Sequence, residues 1–135
     1  MEPPIEEPDP KGVIMGTVTY SGDWPPDNEL IQLFFIPLPF IPNSVGDIMS
    51  QLSSLRTSGS LQRNVDDDDF LVDELPNGAY IYNIIANQYD SNIFQDWRPL
   101  GLFSENDGVI IVSGDTTVIS IHVDFDNLPP FPPEQ

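Results

Sequence analysis

The sequence predicts an all-β fold, a seven- or eight-stranded Greek-key β-sandwich with one short helix in a long connection. Three observations carry this. Residues 12–125 break into short stretches that alternate or are rich in β-branched and aromatic residues, divided by turn residues. Leu75-Pro-Asn-Gly-Ala-Tyr80 joins two such stretches. Proline fixes φ and Asn-Gly tolerates positive φ, so the chain turns sharply there. Tyr80 then stands where its ring packs inward and its hydroxyl bonds back to the turn, as in a tyrosine corner.

The elements follow in order. Residues 12–20 alternate, with Ile14, Val18 and Tyr20 on one face and Thr17 and Thr19 on the other. Ser21-Gly22-Asp23 ends the strand, and Pro25-Pro26 bars immediate re-entry into a sheet. Residues 30–36 are apolar on both faces, which suits a central strand covered on both sides. Pro37, Pro39 and Pro42 are expected to force the chain out of the sheet. Ile48, Leu52 and Leu55 then recur at helical spacing, with Ser44 and Asp47 in capping-box relation. They predict one short helix, or helical turns, within 44–55. Residues 56–64 are polar and read as a flexible loop.

Asp66 to Asp69 lead into a strand at 70–75, and 80–87 reads as an interior strand. Residues 88–99 form a long loop holding Phe94 and Trp97, and 100–103 reads as a short edge strand. Residues 109–112 and 117–125 flank Ser113-Gly-Asp-Thr116 and predict a hairpin. In the last strand Ile119, Ile121, Val123 and Phe125 point one way, and Ser120, His122 and Asp124 the other. The expected core is Ile14, Val18, Leu33, Phe35, Leu71, Leu75, Tyr80, Tyr82, Ile84, Ile119, Ile121, Val123 and Phe125.

A chain of 135 residues is expected to form one domain with a real core. The divisions expected are an acidic, Pro-rich tether at 1–11, the β-sandwich at 12–126 and a Pro-rich tail at 127–135. Eight of the 15 prolines lie in those termini. At ~3.1 Å per residue the tether would hold the domain roughly 30 Å from an anchor. Met1 followed directly by Glu-Pro-Pro reads as a start placed where a leader has been removed. With no cysteine there is no disulfide and no thiolate chemistry. Four Lys and Arg stand against 22 Asp and Glu, a formal charge of -18. That balance opposes nucleic acid and anionic lipid as partners. No apolar run approaches the ~20 residues that span a bilayer.

Few residues point to chemistry. Asp66, Asp67, Asp68 and Asp69, with Asp73 and Glu74, place six carboxylates in nine residues. Calcium takes such oxygen ligands. The spacing is not that of an EF-hand, and alternate strand residues face opposite sides, so the run reads first as a solvated edge that blocks strand addition and only second as a calcium site. His122 is the only histidine, and it lies in a row with Ser120 and Asp124. A triad also needs a nucleophile on a strained turn and an oxyanion hole, and no Gly-x-Ser-x-Gly occurs. No catalytic residue is assigned. Trp24, Trp97 and Arg98 are the candidate ligand contacts, because exposed aromatics beside polar groups stack sugars. The alternative is that Trp24 and Trp97 plug the ends of the core. Phosphate-loop and dinucleotide fingerprints are absent.

Three motifs resemble, in order, carboxypeptidase-regulatory-like (prealbumin-like) β-sandwich modules. Gly12-Val-Ile-Met-Gly-Thr-Val-Thr-Tyr20 resembles their opening strand, Leu75-Pro-Asn-Gly-Ala-Tyr80 their Leu-Pro-x-Gly-x-Tyr corner, and Val112-x-x-Gly-Asp-Thr their closing hairpin. The long excursion at 37–64 departs from that compact pattern. The resemblance implies a non-catalytic module of secreted, periplasmic or surface-anchored proteins, often bacterial lipoproteins. The expected function is therefore a non-enzymatic structural or interaction module outside the cytoplasm, with a protein or surface-polysaccharide partner. The alternative is a carbohydrate- or calcium-binding module of the cell surface.

Overall fold

The computed structural model describes residues 11–130; the rest of the expected tether and the last five residues of the expected tail lie outside the described residues. The described residues are mostly β, with eight strands in open sheets and one short helix. β1 (Gly12–Ser21), β3 (Asp67–Leu75) and β8 (Thr116–Asp124) form one sheet in the order β3-β1-β8. β1 runs antiparallel to β3 and parallel to β8. β2 (Gln32–Leu38), β5 (Tyr82–Gln88) and β6 (Trp97–Leu102) form an antiparallel sheet in the order β2-β5-β6. β4 (Gly78–Tyr80) and β7 (Ile110–Val112) pair as a short ribbon. Among the described residues no helix is long and apolar enough to cross a membrane.

Strand alternation places the core. Ile14 and Val18 of β1, Ile119, Ile121 and Val123 of β8, and Phe70, Val72 and Leu75 of β3 share one cluster with Leu33, Phe35, Ile85 and Leu100 of the second sheet. The Phe35 and Phe70 rings stack across it with centroids 4.4 Å apart. Each such burial contributes about 1.5–3 kcal/mol, so a dozen side chains outweigh the repulsion of the acidic surface. Tyr80 is buried at the margin of this cluster, and its hydroxyl donates to the Pro76 carbonyl at 2.7 Å, which forms the expected corner.

The expected helical turns are present. α1 (Val45–Met49) is capped by Ser44, whose Oγ accepts from Asp47 N at 3.3 Å, while Asp47 Oδ2 accepts from Asn43 N at 2.8 Å. A 3-10 turn follows at Leu52–Ser54.

Several expectations are corrected. Leu71 is 48% exposed, and its neighbours Phe70 and Val72 face the core instead. In three consecutive apolar residues the strand phase is ambiguous, and the Phe35 contact decides it. Tyr82 and Ile84 are buried in a second cluster on the other side of their sheet. Residues 109–112 and 117–125 do not form a hairpin. β7 pairs with β4, and β8 pairs with β1 over the register from Val13↔Thr116 to Ser21↔Asp124. The Ser113-Gly114-Asp115 turn, with Gly114 at φ 81, carries the chain from one sheet to the other.

β2 is an edge strand, not a central one, and it continues through Pro37 to Leu38. Proline is tolerated there because alternate N–H groups of an edge strand have no ladder partner. Residues 56–64 are held rather than loose. Ser58 N donates to Phe35 O at 2.9 Å and Leu61 N to Leu33 O at 2.8 Å, while Ser58 Oγ accepts from Phe35 N at 2.9 Å. This segment covers the open edge of β2, an arrangement that prevents pairing with another chain. The expected edge strand at 100–103 begins earlier, at Trp97.

Candidate functional site

β2 is apolar on both faces, and β5 is buried on both with Asn83 and Asn87 flanking Ile85 on one of them, because each face of the sheet meets a separate layer. Leu33, Phe35 and Ile85 point into the main core. Ile36, Tyr82, Ile84 and Ala86 point outward into a second cluster that Ile48 of α1 completes. The connection from 39 to 57 therefore lies over the outer face of this sheet, and it does not fill the space beneath.

A cavity of about 220 Å³ remains. Its floor is Phe34, Ile36, Ile84 and Ala86, and its wall is Val45, Ile48 and Met49. Ile93, Trp97 and Pro99 close one side, and Gln32, Thr57 and Arg98 are its polar contributors. A second hollow of about 390 Å³ shares Val45, Trp97, Arg98 and Pro99 with it and runs on past Tyr89 to Leu128 and Pro129. Leu128, expected in the tail, is partly buried against the core.

Trp97 and Arg98 stand at the junction of the two hollows. The Trp97 ring packs against Phe34 with centroids 5.3 Å apart, and its Nε1 donates to Ile93 O at 2.7 Å. The Arg98 guanidinium lies 5.3 Å from the Tyr89 ring centroid. Its Nε donates to Asn87 Oδ1 at 2.9 Å, and its Nη2 pairs with Glu29 Oε1 at 3.6 Å. Asn87 is fully buried and is fixed in turn by donating Nδ2 to the carbonyls of Glu29 and Gln32, both at 3.1 Å. Arg98 Nη2 is buried with only the Glu29 ion pair and no hydrogen-bond partner among the described residues; the remaining lining is mostly apolar.

Trp24 is not part of this cleft. It packs against Tyr20 at 4.5 Å and Phe125 at 4.7 Å, where it acts as an end plug. The structure thus joins Trp97 with Arg98 and separates Trp24 from both.

The acidic run is not gathered around one point. Asp69 Oδ1 accepts from Thr17 Oγ1 at 3.0 Å; Asp68 Oδ2 accepts from Gln62 N at 2.7 Å and its Oδ1 from Asp69 N at 2.8 Å. Asp66 offers its main-chain carbonyl to Tyr20 N at 3.0 Å. Asp67 is exposed on β3. Among the described residues no group of three or more His, Asp or Glu side chains is placed to hold a metal ion. His122 is held by β1: Nδ1 lies 2.8 Å from Thr19 Oγ1 and Nε2 lies 2.9 Å from Ser21 Oγ. All three are exposed on a sheet face.

Two tyrosines are strongly perturbed. Burial pushes the Tyr82 phenol up to about 12. Burial, and secondarily the Asp68 carboxylate, raises that of Tyr20 still further. Both hydroxyls are buried with no hydrogen-bond partner among the described residues.

Sequence reasoning identified Trp97 and Arg98 but missed the floor and the α1 wall. The signal was present: a stretch apolar on both faces, followed by an amphipathic helical turn, is the pattern of a sheet with two covers. The chain matches no family model, no curated protein and no solved structure.

Proposed function

We propose that this chain is a non-enzymatic interaction module, a prealbumin-like β-sandwich of a secreted or envelope-anchored protein, whose working surface is the cleft beneath α1. The observation that carries the reading is the cavity of about 220 Å³ on the outer face of the β2-β5-β6 sheet. An outer sheet face is ordinarily polar or fully covered. Here it is apolar and roofed at a distance, which is the form of a binding pocket.

The sandwich reading draws on one apolar cluster shared by the two three-stranded sheets and on the Tyr80–Pro76 bond. A place outside the cytoplasm draws on the opening-strand and corner motifs alone, since the third motif does not close a hairpin. Within the cleft, Gln32, Thr57 and Arg98 are the polar contributors. Sugars need many directed hydrogen bonds, so this lining favours an apolar group of a partner over a polysaccharide.

The test is a titration with toluene followed by two-dimensional NMR. Saturable shifts at Ile48, Ala86 and the Trp97 indole support the reading, with maltohexaose leaving the same signals in place. Toluene that moves none of the three overturns it.

A further inference from the structure

We infer that the occupant of this cleft is an apolar side chain presented by a basic segment of a partner protein. The inference rests on the cleft being the working surface, and it adds the partner's chemistry. Three features of the site carry it.

Size comes first. A cavity of about 150 Å³ accepts benzene. The deep hollow, at about 220 Å³, therefore fits one Phe, Leu or Met side chain. The adjoining hollow past Tyr89 and Gln95 gives the flanking chain a place to lie.

Charge comes second. Asp47, Asp90 and Asp96 are sequence neighbours of residues that line the two hollows, and Arg98 is the one cation among the lining residues. Arg98 is already paired with Glu29. Elsewhere Lys11 pairs with Glu74 at 3.8 Å and Arg56 with Asp73 at 2.8 Å, and the fourth cation, Arg63, donates to the Ile31 carbonyl at 3.0 Å beside Gln32. With Glu29 and Arg98 offsetting each other, three aspartates against Arg63 leave the field around the mouth negative. It attracts a basic segment and repels an acidic one, and it acts mainly on the encounter rate.

Presentation comes third. Phe94 is 69% exposed, and its neighbour Ile93 lines the cleft. The loop that carries them is braced: Asn92 N donates to Asp96 Oδ2 at 3.0 Å, Phe94 N to Asn92 Oδ1 at 3.0 Å and Asp96 N to Asn92 O at 2.8 Å. An exposed aromatic on a braced loop beside an apolar pocket is the composition of an interface rim. A pocket that takes one anchor, ringed by weaker contacts, is how binding energy concentrates in interfaces.

The experiment uses the whole chain and three blocked peptides: Lys-Lys-Phe-Lys-Lys, Lys-Lys-Ala-Lys-Lys and Glu-Glu-Phe-Glu-Glu. The basic Phe peptide is expected to shift Ile48, Ala86 and the Trp97 indole saturably. Its affinity should fall as NaCl rises from about 50 to about 300 mM. The Ala peptide should bind roughly tenfold more weakly. A Val45→Lys variant, altered at the half-exposed cleft wall, should lose the response while its melting curve stays in place. An acidic Phe peptide that binds as well as the basic one overturns the inference. So does an Ala peptide that matches Phe, which would reduce the effect to general attraction. If toluene enters the cleft and none of the peptides does, the partner class falls and the cleft reading survives; if toluene also fails, both fall.

Discussion

The Tyr80 hydroxyl donates to the carbonyl of Pro76, four positions earlier in the chain, at 2.7 Å, with the ring buried against the main core. This bond fixes where β3 ends and β4 begins, because a ring packed inside and a hydroxyl tied to the bend leave the turn one geometry. Tyr80→Phe keeps the ring and removes the bond. Stability should fall by about 0.5–1.5 kcal/mol in urea unfolding. A midpoint unchanged from that of the parent protein would show that the bond contributes nothing.

Phe70 and Leu71 are neighbours with opposite roles. Phe70 stacks on Phe35 in the core, while Leu71 lies outside. Phe70→Ala should cost about 3–5 kcal/mol. Leu71→Ser should change stability by no more than about 0.5 kcal/mol. Reversed magnitudes in paired thermal melts would place β3 one residue out of phase.

That pair also marks what the sequence could disclose. Strict alternation in β1 and β8 announced their inward faces, and Leu-Pro-Asn-Gly-Ala-Tyr announced the corner. Where Phe70, Leu71 and Val72 are all apolar, local pattern loses the phase, and only a partner 35 residues distant in the chain restores it. Partner choice was equally hidden. The turn at Ser113-Gly114-Asp115 has hairpin residues, yet β8 gains a long parallel register with β1 that no local signal encodes. For the site, Trp97 and Arg98 stood out as an aromatic and a cation in a loop. Tyr82 and Ile84 looked like ordinary core, because the second cover at α1 depends on how a polar-looking connection folds back.

Ser58 ties the covering segment to the β2 edge. Its Oγ accepts from Phe35 N and donates to Gly59 O at 2.8 Å. Ser58→Ala strands a buried main-chain N–H. The expected loss is about 1–3 kcal/mol, with faster amide exchange at Phe35. An equally protected Phe35 amide in the variant would mean that the edge is shielded by other means.

The aspartate run gives a clear expectation for divalent ions. Asp68 and Asp69 are already bonded to Gln62, Asp69 and Thr17 groups, and the carboxylates do not converge. Calcium should then act as a screening cation for a chain of charge -18. Millimolar calcium and magnesium should raise the melting temperature equally. A specific site held at about 100 times its Kd would add about 2.7 kcal/mol for calcium alone, so a calcium-only rise would reveal one.

Alkaline pH should unfold the protein through its tyrosines. In the unfolded chain a phenol ionises near 10. Burial raises Tyr82 to about 12, burial with the Asp68 charge raises Tyr20 further, and burial raises Tyr80 as well. Above pH 10 the unfolded chain releases protons that the folded chain retains. It binds fewer protons than the native state, and stability therefore falls as pH rises. Below pH 10 both states hold these protons, and the three tyrosines add no slope. The urea midpoint should drop between pH 10 and 12, with no contribution from these tyrosines to any slope below pH 10. Tyr82→Phe removes one titrating group and should make that drop shallower. An identical profile in the variant would show that the Tyr82 phenol ionises in the folded protein as freely as in the unfolded chain.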